Sequence, residues 1–161
     1  MQREILSTLF PIVKHEILEV IVEAGTSKTR FQLPDAQNLR NVKLRNVEVY
    51  SSTNMAITPT GRAVVSPADL KRSYLTLQGY NGREFLHEEP LPSLHYLFDA
   101  DNNTELLQKE FTNQRVNFPK SYIEFFYAVA PVTTFSFLIS IYYVDLTTEQ
   151  QEGADTFKNR S

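Results

Sequence analysis

The side chains with the widest chemical range in this chain are three histidines, His15, His87 and His95, and a scatter of carboxylates. Imidazole and carboxylate serve as acid–base groups and as zinc ligands, but both uses depend on spacing as well as type. The histidines stand far apart, with no HExxH segment or close pair to clamp a metal. His87-Glu88-Glu89 puts an acid and a base in one tripeptide, yet adjacency neither surrounds a substrate nor tunes a pKa. Asp99 and Asp101 flank a loop able to meet a cation, but the glycine and terminal glutamate of a calcium loop do not follow. Ser66 and Ser121 lack a GxSxG elbow, and the five glycines form no phosphate-cradling loop. Glu84, Glu88, Glu89 and Glu124 would suit a β-sandwich glycosidase only if two of them faced each other about 5–9.5 Å apart across a groove. The reading is therefore of a chain that is not an enzyme, with no assigned catalytic residue, metal ligand or cofactor.

Binding chemistry has one basic concentration to draw on, Lys28, Arg30, Arg40, Lys43 and Arg45. On paired strands these side chains can line one surface and meet phosphate, with Phe31 or Tyr50 as a stacking platform. Glu23, Asp35 and Glu48 interrupt the run, and the net charge of −3 gives no polyanion footprint, so nucleic-acid contact is expected to be weak. The absence of cysteine excludes disulfides, thiolate catalysis and Cys-ligated zinc. No apolar run approaches the roughly 20 residues of a membrane-spanning helix, and residues 1–9 lack the basic-then-apolar order of a signal sequence.

The elements that would carry such residues are strands. In residues 134–146, Phe135, Phe137, Ile139, Ile141 and Tyr143 share one parity, and period two in a β-branched, aromatic stretch predicts a long strand. Residues 121–129 alternate in the same way, with Ala130-Pro131-Val132-Thr133 as a connection. The second face of each strand is too apolar for open water, which predicts a cover from the N-terminal segment or a neighbouring subunit. Residues 16–24 read as a strand, and Gly25-Thr26-Ser27 as a turn into KTRFQLPD, which predicts an antiparallel pair. In NVKLRNVEVYS the apolar parity changes between Leu44 and Val47, which predicts a bulge at Arg45-Asn46. Alternation resumes over residues 69–79, and Asn81-Gly82 predicts a hairpin with both residues at positive φ. Thr58, Thr60 and Arg62 fall in a loop that suits either a ligand or plain connection, and residues 105–111 suit a brief helix.

The fold expected is an all-β antiparallel β-sandwich, wrapped as a jelly-roll, with a short N-terminal helix or arm. Its limits are residues 1–15 for the arm, 16–146 for the sandwich and 147–161 for a polar tail, within a length that suits one domain. In the arm Leu6, Leu9 and Phe10 are candidate subunit contacts, as is Phe157 in the tail.

The blocks RFQLPDAQNLRNVKLRNVEVYSS, AVVSPADLKRSYLTLQG and PKSYIEFFYAVAPVTTFSFLISIYYVDL together resemble a small viral coat or virion-associated β-barrel family in the order of their strands. The resemblance covers most of residues 30–146 and supplies no catalytic positions. It implies a jelly-roll capsid, vertex or minor coat subunit of a virus such as a bacteriophage. Such a subunit would be a homo-oligomer, bound to itself and other virion proteins, soluble in the host cytoplasm before assembly and located in the virion afterwards. The competing expectation is a monomeric β-sandwich module that binds carbohydrate or peptide.

Overall fold

The computed structural model describes residues 13–95 and 115–145. Leu6, Leu9, Phe10, Phe157, the Asp99/Asp101 loop and the brief helix at 105–111 lie outside them. Eight strands are described: β1 (Lys14–Val22), β2 (Arg30–Gln32), β3 (Val42–Tyr50), β4 (Ala63–Val64), β5 (Ser73–Gln78), β6 (Glu84–Pro90), β7 (Tyr122–Phe125) and β8 (Phe135–Asp145). They form two four-stranded sheets that pack face to face as an all-β, sandwich-like fold. Among the described residues no helix is long and apolar enough to cross a membrane.

The first sheet is organised on β8, which is buried on both faces over most of its length and so takes the central place with a partner along each edge. β1 runs antiparallel along one edge, from Lys14 opposite Tyr143 to Val22 opposite Phe135. β3 takes the other edge antiparallel, and β4 continues its line with a short parallel pairing to Phe135 and Ser136. The second sheet runs β2-β7-β5-β6, all antiparallel. Leu18, Val20, Val22 and Val49 join Phe135, Phe137, Ile139 and Ile141 from one side; Leu75, Leu77, Ile123 and Phe125 close from the other. Phe125 bridges the layers, its ring 5.7 Å from Phe135 and 5.8 Å from Phe137. Each such fully buried side chain contributes about 1.5–3 kcal/mol of apolar transfer.

The opposite face of β8 is covered too, with Ser136, Leu138 and Ser140 inaccessible to solvent. Part of that cover is the chain's own 58–62 loop: Thr60 Oγ1 donates to Glu19 of β1 at 2.8 Å, and Arg62 sits 3.7 Å from the same carboxylate. Ser136 Oγ adds a bond of 2.8 Å to Glu19. Burial works to raise the Glu19 pKa, but the hydroxyls of Thr60, Ser136 and Thr58 and the Arg62 charge outweigh it and hold the carboxyl below its ordinary value. Further along, His15 stacks on Tyr142, bonds to Ser140 Oγ, and leaves the phenol to donate to Glu48 at 3.2 Å. Burial, reinforced by the Glu48 charge, pushes the Tyr142 phenol up to about 12.

Four sequence expectations change in detail. β1 and β2 do not pair, because β8 offers β1 a full-length partner and the Gly25 turn, at φ +74°, carries the chain into the other sheet. The strand predicted at 121–129 ends at Phe125 and lies in the sheet opposite β8, so residues 126–134 cross between the layers. Asp69 and Leu70 belong to a helical turn, Pro67–Leu70, capped by Ser66 Oγ accepting from the Asp69 amide at 3.2 Å; this local bond overrides alternation. At the β5–β6 hairpin Gly82 has φ +76°, and Asn81 is not among the positive-φ residues described. The Gly82 amide bonds back to Gly79 O at 3.1 Å, making a three-residue loop in which one left-handed residue suffices. The bulge in β3 is where the parity change put it, between Leu44 and Asn46.

Candidate interaction surface

Where β1 and β7 end and β5 and β8 begin, the sandwich displays apolar side chains. Val129 is 79% exposed, Val132 89% and Phe126 51%, all in the crossover from β7 to β8; Ile57 at 61% and Ile21 stand close to the same end. The backbone under them is well held. Gly25 N donates to Pro131 O at 2.8 Å, Ala24 N to Thr134 Oγ1 at 3.1 Å, and Phe126 N to Arg72 O at 3.0 Å. Tyr127 Oη reaches both Thr26 O and Lys28 O, at 2.9 and 2.8 Å, so the crossover is stapled to the β1–β2 turn. Such bracing lowers the ordering cost that contact with a partner would otherwise incur.

Beside this crossover lies an open cleft of about 460 Å³ lined by Lys71, Arg72, Tyr74, Glu88 and Phe126. The helical turn fixes the backbone beneath its cations: Lys71 N bonds to Pro67 O at 3.2 Å and Arg72 N to Asp69 O at 3.1 Å. Tyr74 and Phe126 meet edge to face, with ring centroids 5.7 Å apart at 70°. Glu88 enters from β6 at φ +47°, the one non-glycine residue at positive φ among those described. It sits in a bulge, since Leu75 opposes Glu89 while Leu77 opposes Leu86, and Thr76 Oγ1 accepts its amide at 3.2 Å.

The residues singled out from sequence are dispersed. Arg30 lies on β2, 3.2 Å from Glu124 and with its guanidinium 4.0 Å over the Tyr122 ring, while Lys43 and Arg45 belong to β3 in the other sheet. Arg40 pairs with Asp35 at 2.6 Å, and Lys28 is exposed in the β1–β2 turn. The five basic positions therefore occupy both layers. His15 is exposed near the start of β1, against Tyr142 and Ser140; His87 pairs with Glu84 at 2.5 Å, and His95 contacts Ser51 at 2.9 Å with burial lowering its pKa. Among the described residues no three metal-ligating side chains converge. Lys71, Arg72 and Phe126 were not singled out from sequence; the available signal was Phe125-Phe126, two adjacent aromatics of which only Phe125 ends in the core, with Phe126 just past the strand end and half-exposed.

No protein-family model matches this chain, and neither a curated protein nor a solved structure does so.

Proposed function

We propose that this chain is a jelly-roll subunit of a protein shell, a coat, vertex or minor component of a virion, acting through contacts with its own copies and with other shell proteins. The observation that carries the reading is the nested strand order. β1 pairs with β8 and β2 with β7, the arrangement expected when one long hairpin is rolled into two sheets, and β3 and β5 then flank β8 and β7. Catalysis has no part in this role.

The exposed crossover supports it further. Val129 and Val132 offer apolar area on a braced backbone, and removing such area from water contributes about 25 cal/mol per Å² before ordering costs. Leu6, Leu9 and Phe10 of the N-terminal segment, and Phe157 in the tail, are second candidates for the same use.

The test is the mass in solution across protein concentration. A discrete oligomer is expected, and Val129→Asp with Val132→Asp should lower its mass while the unfolding transition of the dissociated subunit persists, because association contributes to apparent stability only in the assembly. A companion variant, Leu6→Ser with Leu9→Ser, reports on the arm. A wild type that stays monomeric at every concentration would overturn the proposal.

A further inference from the structure

We infer that the cleft between the helical turn and the crossover is a binding site for a carboxylate-bearing pyranose, the acidic terminal sugar of a glycan. Its volume of about 460 Å³ lies within the roughly 300–1,000 Å³ of small-ligand sites, and its walls combine one apolar surface with a few directed polar groups. Half-exposed Phe126 offers a ring to the C–H face of a pyranose, and Tyr74, meeting it edge-on, makes a corner instead of a slot. A flat nucleobase gains most from parallel aromatic faces; a puckered sugar ring fits a corner.

Charge decides the ligand class. Lys71 and Arg72 face the cleft, and among the described residues neither is ion-paired, so a carboxylate can take the Arg72 fork in two parallel bonds. Glu88 brings a negative charge to the same space, its carboxylate otherwise 4.0 Å from His87 Nε2. Against two cations it leaves one net positive charge, enough for one acid group and ill matched to a chain of phosphates. A carboxylate also accepts bonds from sugar hydroxyls, a task phosphate-binding sites have no use for.

The backbone beneath this set is fixed before any ligand arrives. Ser66 caps the turn that carries Lys71 and Arg72, Ser73 Oγ donates to Asp69 O at 2.8 Å, and Arg72 O receives the Phe126 amide. Glu88 is kept in the left-handed region by its bulge and by Thr76 Oγ1, and strained residues of this kind collect at binding sites. This inference does not depend on the shell reading, and the cleft lies beside the crossover that carries Val129 and Val132 and takes Phe126 from it.

The experiment is a titration of the full chain with methyl β-glucuronide, N-acetylneuraminic acid and methyl β-glucoside, followed by amide chemical shifts. The acidic sugars should bind in the millimolar range, move the amides of Tyr74, Glu88 and Phe126, and exceed the neutral glucoside by about tenfold. Phe126→Ala and Arg72→Ala should each reduce affinity by about tenfold; the unfolding temperature should stay unchanged in Arg72→Ala, whose bond to Phe126 is between backbones, and fall slightly in Phe126→Ala, which loses the edge-to-face contact with Tyr74. Equal binding of acidic and neutral sugars, or shifts located elsewhere, would overturn the inference. So would tighter binding of a short single-stranded oligonucleotide at the same amides. If a variant fails to fold, the wild-type shift map still decides.

Discussion

At one end of the sandwich the chain crosses from β7 to β8 with Val129 and Val132 directed into water; at the other, the β5–β6 hairpin has its side chains engaged within the chain. There Tyr80 Oη donates to Arg40 O at 3.2 Å, Arg115 lies 5.0 Å over the Tyr80 ring, and Arg40 reaches Asp35. Both ends hold their backbones with hydrogen bonds, Gly25 N to Pro131 O at the first and Gly79 N to Arg83 O at the second. The first leaves its aliphatic side chains far more open, 79% at Val129 and 89% at Val132, than the second leaves Val13 at 53% or Tyr80 at 52%, and exposed apolar area of this kind suits a contact surface. The contrast shows that local hydrogen bonding and surface use are separate problems: a loop can be finished as a backbone and unfinished as a surface.

The most severe way to break this comparison is to unseat the crossover from the core. Phe125→Ala removes three ring contacts, with Tyr127, Phe135 and Phe137, and should cost about 3–5 kcal/mol in urea unfolding. A loss under about 1 kcal/mol would mean that the apolar end is not anchored as described. Next comes Glu19, beneath the 58–62 loop near the same end, whose side chain is 16% exposed. Glu19→Gln should cost about 1.5–3 kcal/mol at neutral pH, the scale of hydrogen bonds to a charged group. Because its folded-state pKa is depressed below 4.5, its contribution is complete above that value and is lost as pH falls through the folded pKa. Denaturation of wild type and variant should therefore converge on acidification, and parallel curves would remove Glu19 as the cause.

The smallest effect sharpens the contrast. Tyr127→Phe deletes the hydroxyl that staples the crossover to Thr26 and Lys28; it should cost about 1 kcal/mol and speed amide exchange at Gly25. Its counterpart at the polar end, Arg40→Gln, removes an exposed ion pair and should leave stability unchanged within error. Equal responses from the two would show that the ends are braced alike.

How far the sequence revealed this molecule depends on which distances matter. β8 was legible because Phe135 to Tyr143 alternate, and the bulge at Arg45 because apolar parity slips there; both signals are local. The mispairing of β1 with β2 came from treating the Gly25 turn as a reversal within one sheet. Nothing in a turn's residues says which layer the chain enters next, since Val22 and Phe31 reach the same core from either side. The helical turn at Pro67–Leu70 was hidden by alternation that also fits a strand from Asp69 onward, and the Ser66 cap with Pro67 in the first turn separates the two readings. The cleft was the least legible feature. Arg72 and Phe126 lie far apart in the chain, and their meeting depends on β5 pairing with β7.

The position of β8 at the centre of its sheet also sets a timetable for synthesis. Among the described residues it is the last strand to leave the ribosome, yet β1, β3 and β4 all depend on it for their ladders. The β5–β6 hairpin can close at once, whereas Lys14 must wait for Tyr143. Until then β1 and β3 carry unpaired strand edges, a hazard for a nascent chain crowded by identical copies. Folding should therefore be late and slow, and a chain released before Phe135 would keep its hairpin and lose the first sheet entirely.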